Sequence, residues 1–297
     1  MTSNRAPIED IPRRYGDDDL IGAANEITPA KVAEAAALIR TGQRYALGQI
    51  LDSSSPAQMW RYWKHSLLTD RVLPERAFGN NQQTFVEESV SGALHSGTHL
   101  DGLAHIGIGA YAYGGRSWAD LIGADGLSEL GIENVPPLVT RGVLLNVAAV
   151  HGVKQLAPDQ VITREDLQNA ADRAGVVVSA GDIVILHTGW GVLWDTDGQT
   201  YGASEPGIDL SGARWCIDRR VCVIGADNWA VERVPLQTES EAFPVHQETI
   251  TRNGVYLLEN VRTEELAADG VTEFFCVIAP TRLRGASGSM VGPVAVV

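Results

Sequence analysis

Cysteine is scarce in this chain. Cys216, Cys222 and Cys276 are the only three in 297 residues, odd in number and without C-x-x-C spacing. That excludes a disulfide framework and leads us to expect reduced, buried thiols in a cytoplasmic protein. Positive charge is short as well: 23 Lys and Arg stand against 37 Asp and Glu, a net charge of −14. Nucleic acids and anionic membranes are held by clustered Lys and Arg, so neither is expected as a partner. No apolar run approaches the length of a membrane span. The first thirty residues, with Arg5, Arg13, Arg14 and Asp17-Asp18-Asp19, lack the apolar stretch of a secretory signal. No repeat, low-complexity block or Pro/Gly/Ser-rich linker divides the chain. We therefore expect one domain over residues 1–297, with residues 1–30 as an arm wrapping the surface. Two chemical signatures are also missing. There is no G-x-S-x-G nucleophile elbow, and the stretch Gly285 to Ser289 reads as a turn. The dinucleotide fingerprint fails at Gly107-Ile108-Gly109, which lacks its third glycine.

Histidine is rare too, with seven copies, yet three fall in one short segment, His95-Ser96-Gly97-Thr98-His99-Leu100-Asp101-Gly102-Leu103-Ala104-His105. Imidazole and carboxylate are ligands that zinc and manganese accept. A helix would align His95 with His99, and a strand would align His99 with Asp101. Neither collects all three, so a bend at Gly97-Thr98 feeding a strand end is expected. His95, His99 and Asp101 then form a facial ligand set with positions left open, the mark of a catalytic rather than a structural site. His105, four residues beyond Asp101, can approach the open side and move protons near neutrality.

Elsewhere the pattern alternates helices with apolar strands. A helix is expected from Pro29 through Arg40, capped by Thr28, and a strand from Tyr45 to Leu51. Residues 52–84 show little periodicity but carry Trp60, Tyr62 and Trp63. Trp60, Trp63 and Trp190, together with Trp194, are candidates for a wall around a flat substrate, with a core role as the alternative. Residues 84–90 read as a short strand leading into the histidine segment. Strands are expected at 142–147, 183–187, 221–224, 255–259, 274–278 and 294–297. Helices are expected from Thr163 to Asp172 and, capped by Ser211, from Ala213 to Asp218. The fold class is α/β with a mixed sheet.

The H-x-G-T-H-x-D-x-x-x-H arrangement resembles the metal-dependent cyclase/hydrolase family that includes bacterial kynurenine formamidase and isatin hydrolase. Gly181 to Val184 with Thr188-Gly189-Trp190, Val223 to Asp227, and His246 with Leu258 to Val261 extend the resemblance over most of the chain. It implies the swivelling β/β/α fold, usually assembled as a homodimer or homotetramer. It also implies His95, His99 and Asp101 as ligands of a first metal and His105 as proton donor and acceptor. His246 and Glu259 resemble the pair that, with a bridging Asp, holds a second zinc. In single-metal relatives the same region supplies a catalytic His or a Gln ligand, positions matched by His246 and Gln247. Leu103 stands where the formamidases carry Pro, and the chain is longer at its N-terminus and in residues 52–80. The expected function is hydrolysis of a small amide, cyclic amide or lactone by water activated on one or two Zn²⁺ or Mn²⁺ ions. Two alternatives use the same residues: a non-haem Fe(II) oxygenase, and a catalytically inactive small-molecule binding protein.

Overall fold

The apolar runs expected as strands form the centre of a nine-stranded mixed sheet, strongly curled into a half barrel. The computed structural model describes residues 11–58, 60–68, 74–235 and 241–297. Among these, the strands of three residues or more are β1 (Arg44–Ala46), β2 (Trp63–Leu68), β3 (Glu87–Gly92), β4 (His99–Asp101), β5 (Leu138–Asn146), β6 (Ile183–His187), β7 (Val223–Ala226), β8 (Tyr256–Glu259), β9 (Glu273–Ile278), β10 (Gly288–Met290) and β11 (Val294–Val296). The sheet runs β1–β11–β9–β5–β6–β7–β8–β4–β10. Its central strands β5, β6, β7 and β8 are parallel. The strands on both sides of them are antiparallel. Every residue of β6, β7 and β8 is buried, as continuous apolar runs covered on both faces require.

Helices Arg164–Ala174 and Leu210–Asp218 carry the chain between successive parallel strands. The first has the expected cap: Thr163 and Asp166 exchange side-chain and backbone hydrogen bonds, and Gly175 closes it in the left-handed conformation. The second is capped by Asp209 rather than Ser211. The Asp209 carboxylate accepts the Gly212 N–H at 2.9 Å and the Ser211 hydroxyl at 2.6 Å, so the stronger acceptor takes the cap. Helix Pro29–Ala36 stops short of the expected Arg40.

Two further differences have physical causes. The strand expected over 45–51 is only Arg44–Ala46. Its antiparallel partner β11 is preceded by Pro293, which has no N–H to continue the ladder. The strand expected at 84–90 becomes β3, and it pairs with β2 inside the stretch read as irregular. Almost every residue of this ribbon is exposed, so no core-facing alternation marks it in the sequence. In the N-terminal arm, Ala23 and Ala24, part of a stretch apolar enough to dock, are buried in the main apolar cluster, and Glu26 pairs with Arg220 at 2.6 Å. Residues 1–10 of that arm lie outside the described residues. All three cysteines are buried free thiols. No helix among the described residues is long and apolar enough to cross a membrane.

Candidate metal centre

The histidine segment bends and then joins the sheet. Gly97 turns the chain at φ +59°, in the left-handed region that favours glycine. β4 begins two residues later. Strand alternation sends Leu100 into the core and keeps His99 and Asp101 on the opposite face. Antiparallel pairing with β8 sets Glu259 directly opposite His99. Facing residues in such a pair have Cβ atoms about 4.5–5.5 Å apart, so Glu259 is delivered to the same point. On the other side of β4, Gly288 lies opposite Asp101. A Cβ there would come within 2.5 Å of the His95 ring, so only glycine leaves room for it. His246 arrives from the short helix Pro244–His246.

Two groups of side chains converge, each with its ligand atoms within 4.8 Å of one another: His95, His99 and Asp101, and Asp101, His246 and Glu259. Asp101 belongs to both. His99 Nδ1–H donates to the Gly97 carbonyl at 2.8 Å, which turns the Nε2 lone pair inward. Nε2 lies 3.0 Å from Glu259 Oε2 but out of hydrogen-bonding alignment. Asp101 Oδ2 is likewise buried without a hydrogen-bond partner among the described residues. His246 Nδ1–H donates to Glu232 Oε1 at 2.5 Å, leaving Nε2 3.2 Å from Glu259 and 3.8 Å from Asp101. Inward lone pairs with the outer nitrogens tied to a carbonyl or carboxylate are the usual support of metal-ligating histidines. His95 differs, because Nδ1 lies 2.7 Å from Asp101 Oδ1 and Nε2 lies 3.2 Å from Ser287 Oγ. As a ligand it exchanges one of these contacts for the ion.

Charge balance points the same way. Asp101, Glu232 and Glu259 are all buried, and such carboxylates need compensating positive charge. Burial works to lower the His246 pKa, but hydrogen bonds to Glu232 and Glu259 outweigh it and lift the ring to about 10. At His99 burial again opposes, and the Glu259 charge prevails to raise it. A divalent cation supplies the same compensation and displaces those protons. His105 behaves oppositely. Burial, reinforced by His95 and His246 against the pull of Asp101, brings it down to about 3. It is a neutral imidazole stacked on His95 at 3.9 Å between centroids, with Nε2 3.8 Å from Asp101 Oδ1.

The other sequence candidates fall elsewhere. Gln247 donates its amide to the Gly107 carbonyl at 3.0 Å. Trp190 is fully buried with Trp194 and Tyr201 in a satellite core. Trp60 is largely exposed, and Trp63 begins β2. Gln58, Arg61, Tyr201, Trp229 and Asn260 line a crevice of about 10 Å³ beside His95, room for little more than one water. Glu232, Ser287 and these crevice residues stand singly in the sequence with no local spacing to mark them. Among them, Ser287 lies in the Gly/Ser turn and Asn260 in the Leu258 to Val261 stretch that carries the resemblance.

Glu232 takes the His246 ring N–H together with the backbone N–H groups of Val245 (3.3 Å) and His246 (3.0 Å). Such outer partners are worth roughly 10–100-fold in metal affinity. Glu232→Gln is expected to weaken metal binding by about that factor, read by competition with a chelator of known affinity.

Comparison with known proteins gives a consistent neighbourhood. The "Putative cyclase" family profile matches residues 45–233. A crystal structure described as a novel cyclase is 34% identical, covers 96% of this chain and 98% of its own, and superposes with a TM-score of 0.87. Isatin hydrolase A from Ralstonia solanacearum shares the fold at 21% identity, with 90% of this chain and 95% of that one covered and a TM-score of 0.64. A structure described as a potential metal-dependent hydrolase with cyclase activity is 18% identical over 85% of this chain and 98% of that one, TM-score 0.55. No curated protein matches the chain in sequence.

Proposed function

The chain belongs to the cyclase family, and from that premise we propose that it is a metal-dependent hydrolase. Its substrate on this reading is a small amide, cyclic amide or lactone, attacked at the carbonyl carbon by water. The observation that carries the reading is the pair of buried ligand groups sharing Asp101. His95, His99 and Asp101 would hold one ion, zinc or manganese, and Asp101, His246 and Glu259 a second. Such an ion, when bound, supplies Lewis acidity, polarising a carbonyl oxygen and acidifying water. His105 stands in neither group, and its neutral ring takes the proton of the attacking water and returns it to the leaving nitrogen or oxygen. The whole chain, 1–297, is one hydrolase domain of the swivelling β/β/α type, and its buried free thiols support a cytoplasmic setting.

The test is metal analysis of the purified protein followed by a screen of aryl formamides, cyclic imides and lactones. Zinc or manganese with hydrolysis of one class is the expected result. Iron with substrate-dependent oxygen uptake would establish the oxygenase instead, and failure to bind any of these metals would leave a binding protein.

One observation favours a second reading. Ser287 Oγ, His95 and Asp101 Oδ1 stand in the order of a serine–histidine–aspartate relay. That relay leaves the inward nitrogens of His99 and His246, and Glu259, without a role. Ser287→Ala separates the two: turnover within a fewfold of the parent is expected, and its abolition would favour acyl transfer through the serine.

We propose a homodimer or homotetramer as the assembly. The β2–β3 ribbon supports it, because a lone two-stranded ribbon is marginal in water, and this one exposes Leu67, Leu68 and Val90 beside Trp60. Light scattering is expected to give a multiple of the 31.8 kDa chain mass.

A further inference from the structure

On the same edge of the sheet, the carboxyl ends of β5 and β6 open onto a cavity of about 610 Å³ that none of the cluster residues lines. Small-molecule sites occupy roughly 300–1,000 Å³, and α/β sheets bind ligands beyond the carboxyl ends of their strands. His187, the last residue of β6, lines this cavity and is about nine-tenths buried. A built network orients its ring. The buried Asp227 carboxylate accepts the backbone N–H groups of Thr188 (2.9 Å) and Gly189 (2.9 Å) and the hydroxyls of Thr188 and Thr263 (3.1 Å). Having given its proton to Asp227, the Thr263 hydroxyl accepts His187 Nδ1–H at 2.7 Å. Nδ1 is thereby committed, and Nε2 is left to the cavity.

Glu264 lines the same space and carries a buried carboxyl oxygen, Oε2, with no hydrogen-bond partner among the described residues. Lys154 and Gln155 also line it, and Ala148, Ala149 and Val153 give an aliphatic wall. The hydrolytic chemistry uses none of these groups. An oriented imidazole and an unpaired buried oxygen are costly unless something completes them.

We propose that this cavity is a second small-molecule site, distinct from the metal centre, that takes a small carboxylic acid with an apolar body. The carboxylate bonds to His187 Nε2–H and the Lys154 ammonium, Glu264 donates its O–H to a carboxylate oxygen, and the apolar body lies on the aliphatic wall. Protonation agrees with these roles. Burial, aided by the Asp227 charge, pushes the Glu264 carboxyl up, in the direction of the protonated form. At His187 burial works downward, but the Asp227 carboxylate, 3.4 Å from Nδ1, outweighs it and raises the ring.

Isothermal titration of the full chain with benzoate, and with benzamide as its neutral counterpart, tests the site independently of the hydrolase reading. One benzoate per chain is expected, with benzamide weaker. His187→Gln and the surface variant Lys154→Met should each lose roughly tenfold in affinity, the scale of one charge-assisted hydrogen bond. Asp101→Asn should leave benzoate affinity within about twofold, since that residue stands outside the cavity. No benzoate binding, binding indifferent to both His187→Gln and Lys154→Met, or binding lost in Asp101→Asn would overturn the proposal. A failure of hydrolysis with benzoate binding intact would count against the catalytic reading alone.

Discussion

Asp101→Asn is expected to empty the metal centre and to lower turnover by about 10³-fold or more. The side chain is shared by both ligand groups, so one substitution removes an anionic ligand from each. Asn keeps the shape but turns an N–H toward groups that need a lone pair. It also removes the charge that His95 Nδ1 contacts at 2.7 Å. Metal ions supply several kcal/mol of transition-state stabilisation, and each 1.4 kcal/mol or so is a tenfold change in rate, which sets the magnitude. Elemental analysis beside kcat makes the check, with circular dichroism to show that the fold persists. Metal retained at full stoichiometry would falsify the ligand assignment.

His105→Ala separates proton transfer from metal binding. His105 touches the centre by stacking on His95 rather than by belonging to either ligand group. Its loss is expected to leave metal content unchanged while kcat falls about 10²- to 10⁴-fold, the usual contribution of a positioned acid or base. His105→Gln, which fills more of the same space, should retain metal and remain as slow. An undiminished kcat in both variants would mean that another group carries the proton, and the nearest remaining imidazole is His95.

The two substitutions together distinguish binding from chemistry. Asp101→Asn should abolish both, and His105→Ala only the second. A protein that merely bound a small molecule at this centre would show the first loss without the second, because His105 would have no proton to move.

Much of this centre was legible in one dimension. The eleven residues from His95 to His105 hold three imidazoles and a carboxylate, and their spacing required the bend that Gly97 provides. The apolar runs at β5, β6, β7 and β8 were equally plain, since strands buried on both faces need continuous apolar sequence. The β2–β3 ribbon was not legible, because neither of its faces meets the core and no period is imposed on it. Ser211 and Asp209 are both good caps two residues apart, and the fold gives the cap to the Asp209 carboxylate.

The sequence by itself determined the residue types of the cluster, the order His95, His99, Asp101 and His105, and the α/β class, because each depends on neighbours within a few residues. The family resemblance pointed to His246 and Glu259 but not to how they arrive. Only the tertiary structure decided that Glu259 faces His99, through the antiparallel register of β8 on β4. It also decided that His246 is steered by Glu232 and that Gly288 makes room for His95. Register and crossover connections join residues far apart in the chain. Such contacts leave no periodic trace in sequence, because what fixes them is how the sheet curls and which strands it pairs.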